Sequence, residues 1–120
     1  MNGYNFLLDT NIVLYILGGL LSPQKLPKGK FYLSFISELE LLSYPNLSVQ
    51  EEKMIRDFLS KSNIIGMNEE IKEQAIELRK SFGIKLPDAI IGATAIHLNA
   101  QLITRDKTFL KVHKIKVSFQ

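Results

Sequence analysis

Short apolar runs alternate with stretches of helical periodicity along this chain. The intervening stretches repeat apolar residues every three to four positions, which is the spacing of an amphipathic helix. Strands that alternate with helices indicate an α/β domain whose sheet is largely parallel. The apolar runs predict five strands, at Asn5 to Leu8, Phe31 to Ser34, Asn63 to Ile65, Gln101 to Thr104 and Ile115 to Phe119.

Capping residues predict where several helices begin and end. The first helix is predicted over Asn11 to Leu17, directly after the first strand. The helix Ser48 to Ser60 opens with the Ser and Glu of a capping box, and the helix Asn68 to Ser81 is followed by a terminating Gly83. Pro87 fits the first position of a further helix. Small residues in that helix favour close packing on the sheet: Ala89, Gly92, Ala93 and Ala95.

Length and composition indicate a single domain over residues 1–120. The chain has a formal net charge of +3 and no cysteine, so disulfides and thiolate metal sites are excluded. A reducing cytoplasm is the natural compartment. The longest apolar stretch, Ile12 to Leu21, is about half of the roughly 20 residues that a membrane span needs, so we expect no membrane crossing. The weak basic excess favours a polyanionic partner without identifying one.

Asp9 follows the first strand directly, and a helical pattern begins at once after it. Open α/β folds bind ligands at the carboxyl ends of their strands, so Asp9 is the first candidate for chemistry. An Asp in this position also accepts backbone N–H groups as a helix cap. Both interpretations stay open on this segment alone.

Glu40 is the second candidate acid. A strand ends near Ser34 and a helix is predicted to begin around Ser37, with Glu40 on its first turn. Glu38 and Glu40 are turned by about 200° relative to each other, so only one of them can face a given crevice. In the alternative interpretation, Ser37 and Glu40 form a capping box.

Asp88 and Asp106 complete the set of four acids. Asp88 follows Pro87 at a helix start, where an acid also complements the helix dipole, and Asp106 follows a strand, where Asp also forms turns. Strand ends meet at one edge of a parallel sheet, so the four acids can converge there. Crowded carboxylates repel one another unless cations lie among them. Oxygen ligands without His or Cys favour Mg²⁺ or Mn²⁺. Enzymes use such ions to hydrolyse phosphodiesters, because the ion activates the attacking water and stabilises the leaving oxygen.

Four segments together resemble the successive blocks of a PIN-domain ribonuclease. Their order and spacing match over essentially the whole chain, and the small size is similar to the VapC-type toxins of toxin–antitoxin pairs. Two positions depart from the usual pattern, since Glu38 stands where an uncharged residue is common and Thr108 where many members carry another acid. The segments are LLDTN at 7–11, SFISELEL at 34–41, PDAIIGATA at 87–95 and LITRDKTF at 102–109.

The resemblance implies a three-layer α/β/α sandwich with a mainly parallel sheet and an acidic Mg²⁺ or Mn²⁺ site at its edge. It implies endonucleolytic hydrolysis of RNA that leaves 3′-hydroxyl and 5′-phosphate ends, a protein antitoxin as partner, and a homodimer. The metal ligands and catalytic residues that it implies are Asp9, Glu40, Asp88 and Asp106. Asn11 and Thr104 match the polar positions that support such a site.

Arg105 is placed to bind a substrate phosphate, with a surface role as the alternative. His97 and His113 have no ligand spacing and no obvious acidic partner, so we expect surface or core roles for both. Two other functions remain open. One is a PIN-like module that binds RNA or protein without cutting, and the other is a metal-dependent DNA nuclease or phosphatase.

Overall fold

The computed structural model describes residues 4–119, and its elements follow the predicted alternation of strands and helices. Two 3₁₀ helices, Pro23–Lys25 and Lys107–Lys111, lie in the connections. In chain order the other elements are β1 (Asn5–Leu8), α1 (Thr10–Leu17), β2 (Lys30–Ser34), α2 (Phe35–Leu42), α3 (Val49–Ser60), β3 (Asn63–Ile65), α4 (Glu69–Phe82), α5 (Leu86–Leu98), β4 (Gln101–Thr104) and β5 (Lys116–Phe119).

The strands form one sheet in the order β3-β2-β1-β4-β5, and every pair is parallel. Alternate side chains of β1 enter two separate cores. Leu7 packs with the buried residues of α4 and α5, whereas Phe6 and Leu8 pack with those of α1, α2 and α3. Helices therefore cover both faces of the sheet, and the three-layer α/β/α sandwich is confirmed.

The predicted start of α2 is wrong by two residues. The helix begins at Phe35, and its N-cap is Ser34, whose hydroxyl accepts the backbone N–H of Ile36 at 3.1 Å. Strand β2 thus runs into α2 with no linker. The capping box of Ser37 and Glu40 is accordingly absent, because both residues lie inside the helix.

Helix α5 is buried along most of its length, as its small residues predict. Pro87 is its second residue rather than its first. A Cβ at Gly92 would lie 2.7 Å from Cδ1 of Ile115, so the absence of a side chain permits this approach. The helix leads into β4 through Asn99 and Ala100, which puts its N-terminus at the carboxyl edge of the sheet.

The path of the chain creates a crevice at that edge. From β1 the chain crosses to β2 on one side, and it later returns through α5 to β4 on the other side of β1. The carboxyl ends of β1 and β4 therefore border a topological switch point, where α/β proteins bind ligands. Within residues 4–119, no helix is long and apolar enough to cross a membrane.

Candidate active site

Asp9 lies at the carboxyl end of β1 and is also the N-cap of α1. Its backbone N–H donates to the carbonyl of Ile103 at 3.0 Å, which continues the pairing of β1 with β4. The side chain is 6% exposed. One carboxylate oxygen accepts the N–H of Thr10 at 2.8 Å, and the other accepts the hydroxyl of Thr104 at 2.7 Å. Asp9 thus caps the helix and lines the crevice at the same time.

Burial is the main influence on the acidity of Asp9. It raises the pKa of the carboxyl above its ordinary value, because the charged form is poorly solvated. The hydrogen bonds from Thr104 and Thr10 lower the pKa, and the nearby charges of Asp106 and Glu40 raise it again. The two hydrogen bonds therefore favour the ionised form that a metal ligand requires.

A chain of hydroxyl groups holds Glu40. The hydroxyl of Thr10 lies 2.6 Å from Oε1 of Glu40 and 2.8 Å from the hydroxyl of Ser37. Thr10 has one hydroxyl proton, which it donates to the carboxylate, so Ser37 donates to Thr10. Neither hydroxyl was predicted to belong to the site, since Ser37 was considered only as a helix cap and Thr10 was not singled out. Their signal was the position of Thr10 after Asp9 and of Ser37 one turn before Glu40.

The two glutamates of α2 face different surfaces. Glu40 lines the crevice with Asp9, whereas Glu38 borders a separate depression beside Arg56 and Leu59 of α3. The prediction that only one of the two glutamates can face a given crevice is confirmed, and the one that lines this crevice is Glu40. This separation follows from the turn of about 100° per helical residue.

Asp106 and Asp88 approach the crevice from β4 and α5. The carboxylate of Asp106 accepts the N–H of Thr108 at 2.9 Å, and the backbone N–H of Asp106 donates to the hydroxyl of Thr104 at 2.9 Å. The pKa of Asp88 is raised to about 6, chiefly by burial and then by the charges of Asp106, Asp9 and Glu40, while Lys85 lowers it slightly.

All four predicted acids line one crevice, which we call the acidic pocket. Among the described residues, its walls include no Lys or Arg, so the carboxylate charges are not offset from within. This pocket has the electrostatic character of a cation site. It is lined by Asp9, Thr10, Asn11, Glu40, Ser43, Tyr44, Pro45, Asp88 and Asp106.

The donor chemistry of the acidic pocket fits a hard divalent cation, since only oxygen ligands are offered. One carboxylate oxygen of Glu40 and one of Asp106 have no protein partner among the described residues, and each oxygen has two lone pairs. No three His, Asp or Glu side chains within residues 4–119 have the spacing of a formed metal site. Binding an ion would therefore draw the carboxylates together against their repulsion.

The remaining candidates occupy different positions. Asn11 lines the acidic pocket, and Arg105 lies outside it, with its guanidinium 4.4 Å from the ring centroid of Tyr15. The expectation that His97 has no acidic partner is wrong. Its Nδ1 lies 3.2 Å from the Glu70 carboxylate on α4, away from the acidic pocket.

Three comparisons relate this chain to known proteins. The PIN domain family matches residues 6–115. Curated protein sequences give no significant match. Among solved structures, a toxin–antitoxin complex from Klebsiella pneumoniae is 31% identical with a TM-score of 0.76, and the match covers 91% of this chain and 93% of that one.

Two further solved structures have the same fold. VapBC-1 from nontypeable Haemophilus influenzae is 26% identical with a TM-score of 0.78, and the match covers 96% of this chain and 97% of that one. VapBC2 from Rickettsia felis, bound to a promoter DNA fragment, is 22% identical with a TM-score of 0.81, covering 97% and 98%. The resemblance to VapC-type proteins is confirmed, and the chain belongs to the PIN domain family.

Proposed function

We propose that this chain is a Mg²⁺- or Mn²⁺-dependent endoribonuclease and the toxin of a toxin–antitoxin pair. The observation that carries the proposal is the acidic pocket itself. Four carboxylates from four separate segments line it at the switch point of the sheet, and no Lys or Arg of residues 4–119 is among its lining residues. A site that only bound RNA would gain nothing from negative charge facing phosphates.

Asp9, Glu40, Asp88 and Asp106 would hold the ion in this proposal. A bound divalent ion would lower the pKa of an attacking water and stabilise the leaving oxygen. Hydrogen bonds from the protein orient two of these carboxylates. Thr104 and the N–H of Thr10 fix both oxygens of Asp9, and the hydroxyl of Thr10 fixes one oxygen of Glu40.

The partners in this proposal are an RNA substrate, a protein antitoxin and a second copy of the chain in a homodimer, in the cytoplasm. Support for the antitoxin comes from the solved relatives, which are toxin–antitoxin complexes. Support for protein contacts also comes from large apolar side chains at the surface. Val49 is 88% exposed, Leu20 is 74% exposed and Met54 is 50% exposed.

The direct test is cleavage of a defined pool of single-stranded RNAs with Mg²⁺ or Mn²⁺. Chelation and Asp9→Asn should each remove cleavage. Glu38→Gln is the matched control, because it removes an acid of α2 that lies outside the acidic pocket. Sequencing of the products should show 3′-hydroxyl and 5′-phosphate ends.

Parallel assays separate the alternatives. Cleavage of single-stranded DNA or release of phosphate from a monoester, with RNA left intact, would favour another phosphoester as substrate. Binding of RNA without cleavage at saturating metal would favour a non-catalytic module. Metal-dependent RNA cleavage that persists in Asp9→Asn would refute the assignment of this pocket.

A further inference from the structure

Arg105 is a cation at the edge of the acidic pocket. It stands between Thr104 and Asp106, and both of these residues belong to the site. Its side chain is exposed, and within residues 4–119 none of the ion pairs involves it. The neighbouring carboxylate of Asp106 is engaged with Thr108 instead. The charge of Arg105 is thus available to a ligand.

The guanidinium of Arg105 lies over the ring of Tyr15. The guanidinium carbon lies 4.4 Å from the centroid of the Tyr15 ring, within the range of a cation–π contact. Tyr15 is partly buried and packs against the core beneath α1, which fixes the ring. It follows Asn11 of the acidic pocket by four residues, so both lie on one face of α1 about 6 Å apart along the helix axis.

This arrangement leaves the N–H groups of Arg105 free while it limits the motion of the side chain. A guanidinium that stacks on a ring presents a planar fork of donors, which suits the two oxygens of a phosphate. A nucleic acid strand that enters the acidic pocket meets four carboxylates that repel it. A fixed cation at the rim of the pocket offsets part of that repulsion where the next phosphate would lie.

We propose that Tyr15 is a positioning residue that holds Arg105 as the binding site for a phosphate adjacent to the one in the acidic pocket. This inference rests on the proposed function, because it concerns the same RNA strand. It assigns to Tyr15 a role in substrate binding that acts through Arg105. The ring carries this role and the hydroxyl does not.

The test measures RNA binding separately from cleavage. A fluorescein-labelled single-stranded RNA of mixed sequence is titrated with the Asp9→Asn protein, and anisotropy is followed over a range of salt concentrations. Arg105→Gln should weaken binding about fivefold to tenfold and reduce the salt slope by about 0.7, the value for one phosphate of a single strand. Arg79→Gln on α4, across the sheet, is the matched control and should change neither.

Variants of Tyr15 identify the positioning role. Tyr15→Leu should weaken binding about twofold to fivefold, whereas Tyr15→Phe should restore the original affinity, because it keeps the ring. In the Arg105→Gln background, Tyr15→Leu should have no further effect. Arg105→Lys should recover the salt slope without recovering all of the affinity, since an ammonium group lacks the planar fork.

Several outcomes would overturn the inference. They are an Arg105→Gln protein that binds as tightly as its parent, a Tyr15→Leu effect that survives in the Arg105→Gln background, and a Tyr15→Phe protein as weak as Tyr15→Leu. Thermal melts of each variant exclude unfolding. If Tyr15→Leu does not fold, the Arg105 variants still decide whether Arg105 binds a phosphate, and Tyr15→Phe still decides whether the hydroxyl of Tyr15 contributes.

Cleavage by the chain with an intact Asp9 distinguishes this inference from the proposed function. If that chain cuts RNA, Tyr15→Leu and Arg105→Gln should raise KM and leave kcat near its original value. Equal KM values would refute the phosphate site while the nuclease assignment stands. If the chain cuts no RNA, the nuclease assignment fails, and the binding titrations still report on Tyr15 and Arg105.

Discussion

Thr104→Val is the sharpest perturbation of the acidic pocket, because it keeps the shape of the side chain and removes one hydroxyl. Thr104 is fully buried. Its hydroxyl donates to the Asp9 carboxylate at 2.7 Å and accepts the backbone N–H of Asp106 at 2.9 Å. The change therefore breaks one hydrogen bond to a charged group and leaves one N–H without its partner.

The cost follows from these two bonds. A buried hydrogen bond to a charged group contributes about 1.5–3 kcal/mol, and an unpaired donor costs about 1 kcal/mol more. Burial of the added methyl group offsets part of this, about 1 kcal/mol. We expect Thr104→Val to lower the free energy of unfolding by about 1.5–3 kcal/mol at neutral pH. For a chain of this length, Tm should fall by about 10 °C.

The pH dependence provides an independent check. The Thr104 hydrogen bond lowers the pKa of Asp9, so it stabilises the fold while the carboxyl is ionised, and this contribution is lost as the pH falls. The Tm difference between the two proteins should therefore shrink as the carboxyl becomes protonated. Mn²⁺ affinity and cleavage should fall together in Thr104→Val.

Thr94→Val is the matched control. Thr94 is also buried, but its hydroxyl donates to an uncharged group, the carbonyl of Ile90 within α5, at 2.7 Å. Its loss should cost less than about 1 kcal/mol and leave Mn²⁺ affinity unchanged. If both variants lose the same stability with the same pH profile, or if Thr104→Val binds Mn²⁺ normally, the argued role of the Thr104 hydroxyl is wrong.

The other predictions concern the acids themselves. Glu40→Gln should remove most cleavage and weaken Mn²⁺ binding, while Glu38→Gln should do neither, as measured by initial rates and Mn²⁺ titration. The reverse pattern would contradict the role of Glu40 as the glutamate of α2 that acts in the acidic pocket. Asp9→Asn and Asp88→Asn should each abolish metal-dependent cleavage without loss of the fold. The folded pKa of Asp88 is about 6, above its ordinary value, so its stabilising contribution is present at low pH and lost as the pH rises through 6. In metal-free melts, the free energy of unfolding of Asp88→Asn relative to the unsubstituted chain should therefore rise by about 1 kcal/mol from pH 4 to pH 7, a figure discounted for the half-exposed side chain. If this stability difference is the same at both pH values, the prediction is refuted.

The strands were the most predictable part of the fold. The bounds of β1, β3 and β4 match the apolar runs, because side chains of a parallel sheet are covered on both faces. The start of α2 was missed because β2 and α2 share the boundary at Ser34 and Phe35, so no turn residue separates them. Local sequence offered Ser37 as an equally good cap.

Long-range contacts set the limit of sequence reasoning at the acidic pocket. Each acid was recognisable because it stands at a strand end or a helix start. The hydroxyl chain was not recognisable, because Thr10 meets Ser37 and Glu40 across 27 and 30 positions of sequence. The pairing of His97 with Glu70 was missed for the same reason, since the two residues lie on different helices.

The capping interpretation of the acids and the metal-site interpretation are compatible in this fold. Asp9 and Asp106 each accept a backbone N–H as an N-cap, and each still lines the acidic pocket. A cap uses one of about four lone pairs of a carboxylate, so the others can reach a cation.

The N-termini of α1 and α5 both lie at the carboxyl edge of the sheet, where their dipoles favour negative charge. The N–H of Thr10 at the start of α1 therefore favours the ionised form of Asp9, in a pocket where burial and mutual repulsion raise the pKa of both Asp9 and Asp88. The hydrogen bond that caps α1 thus offsets part of the cost of gathering the four acids before any cation binds.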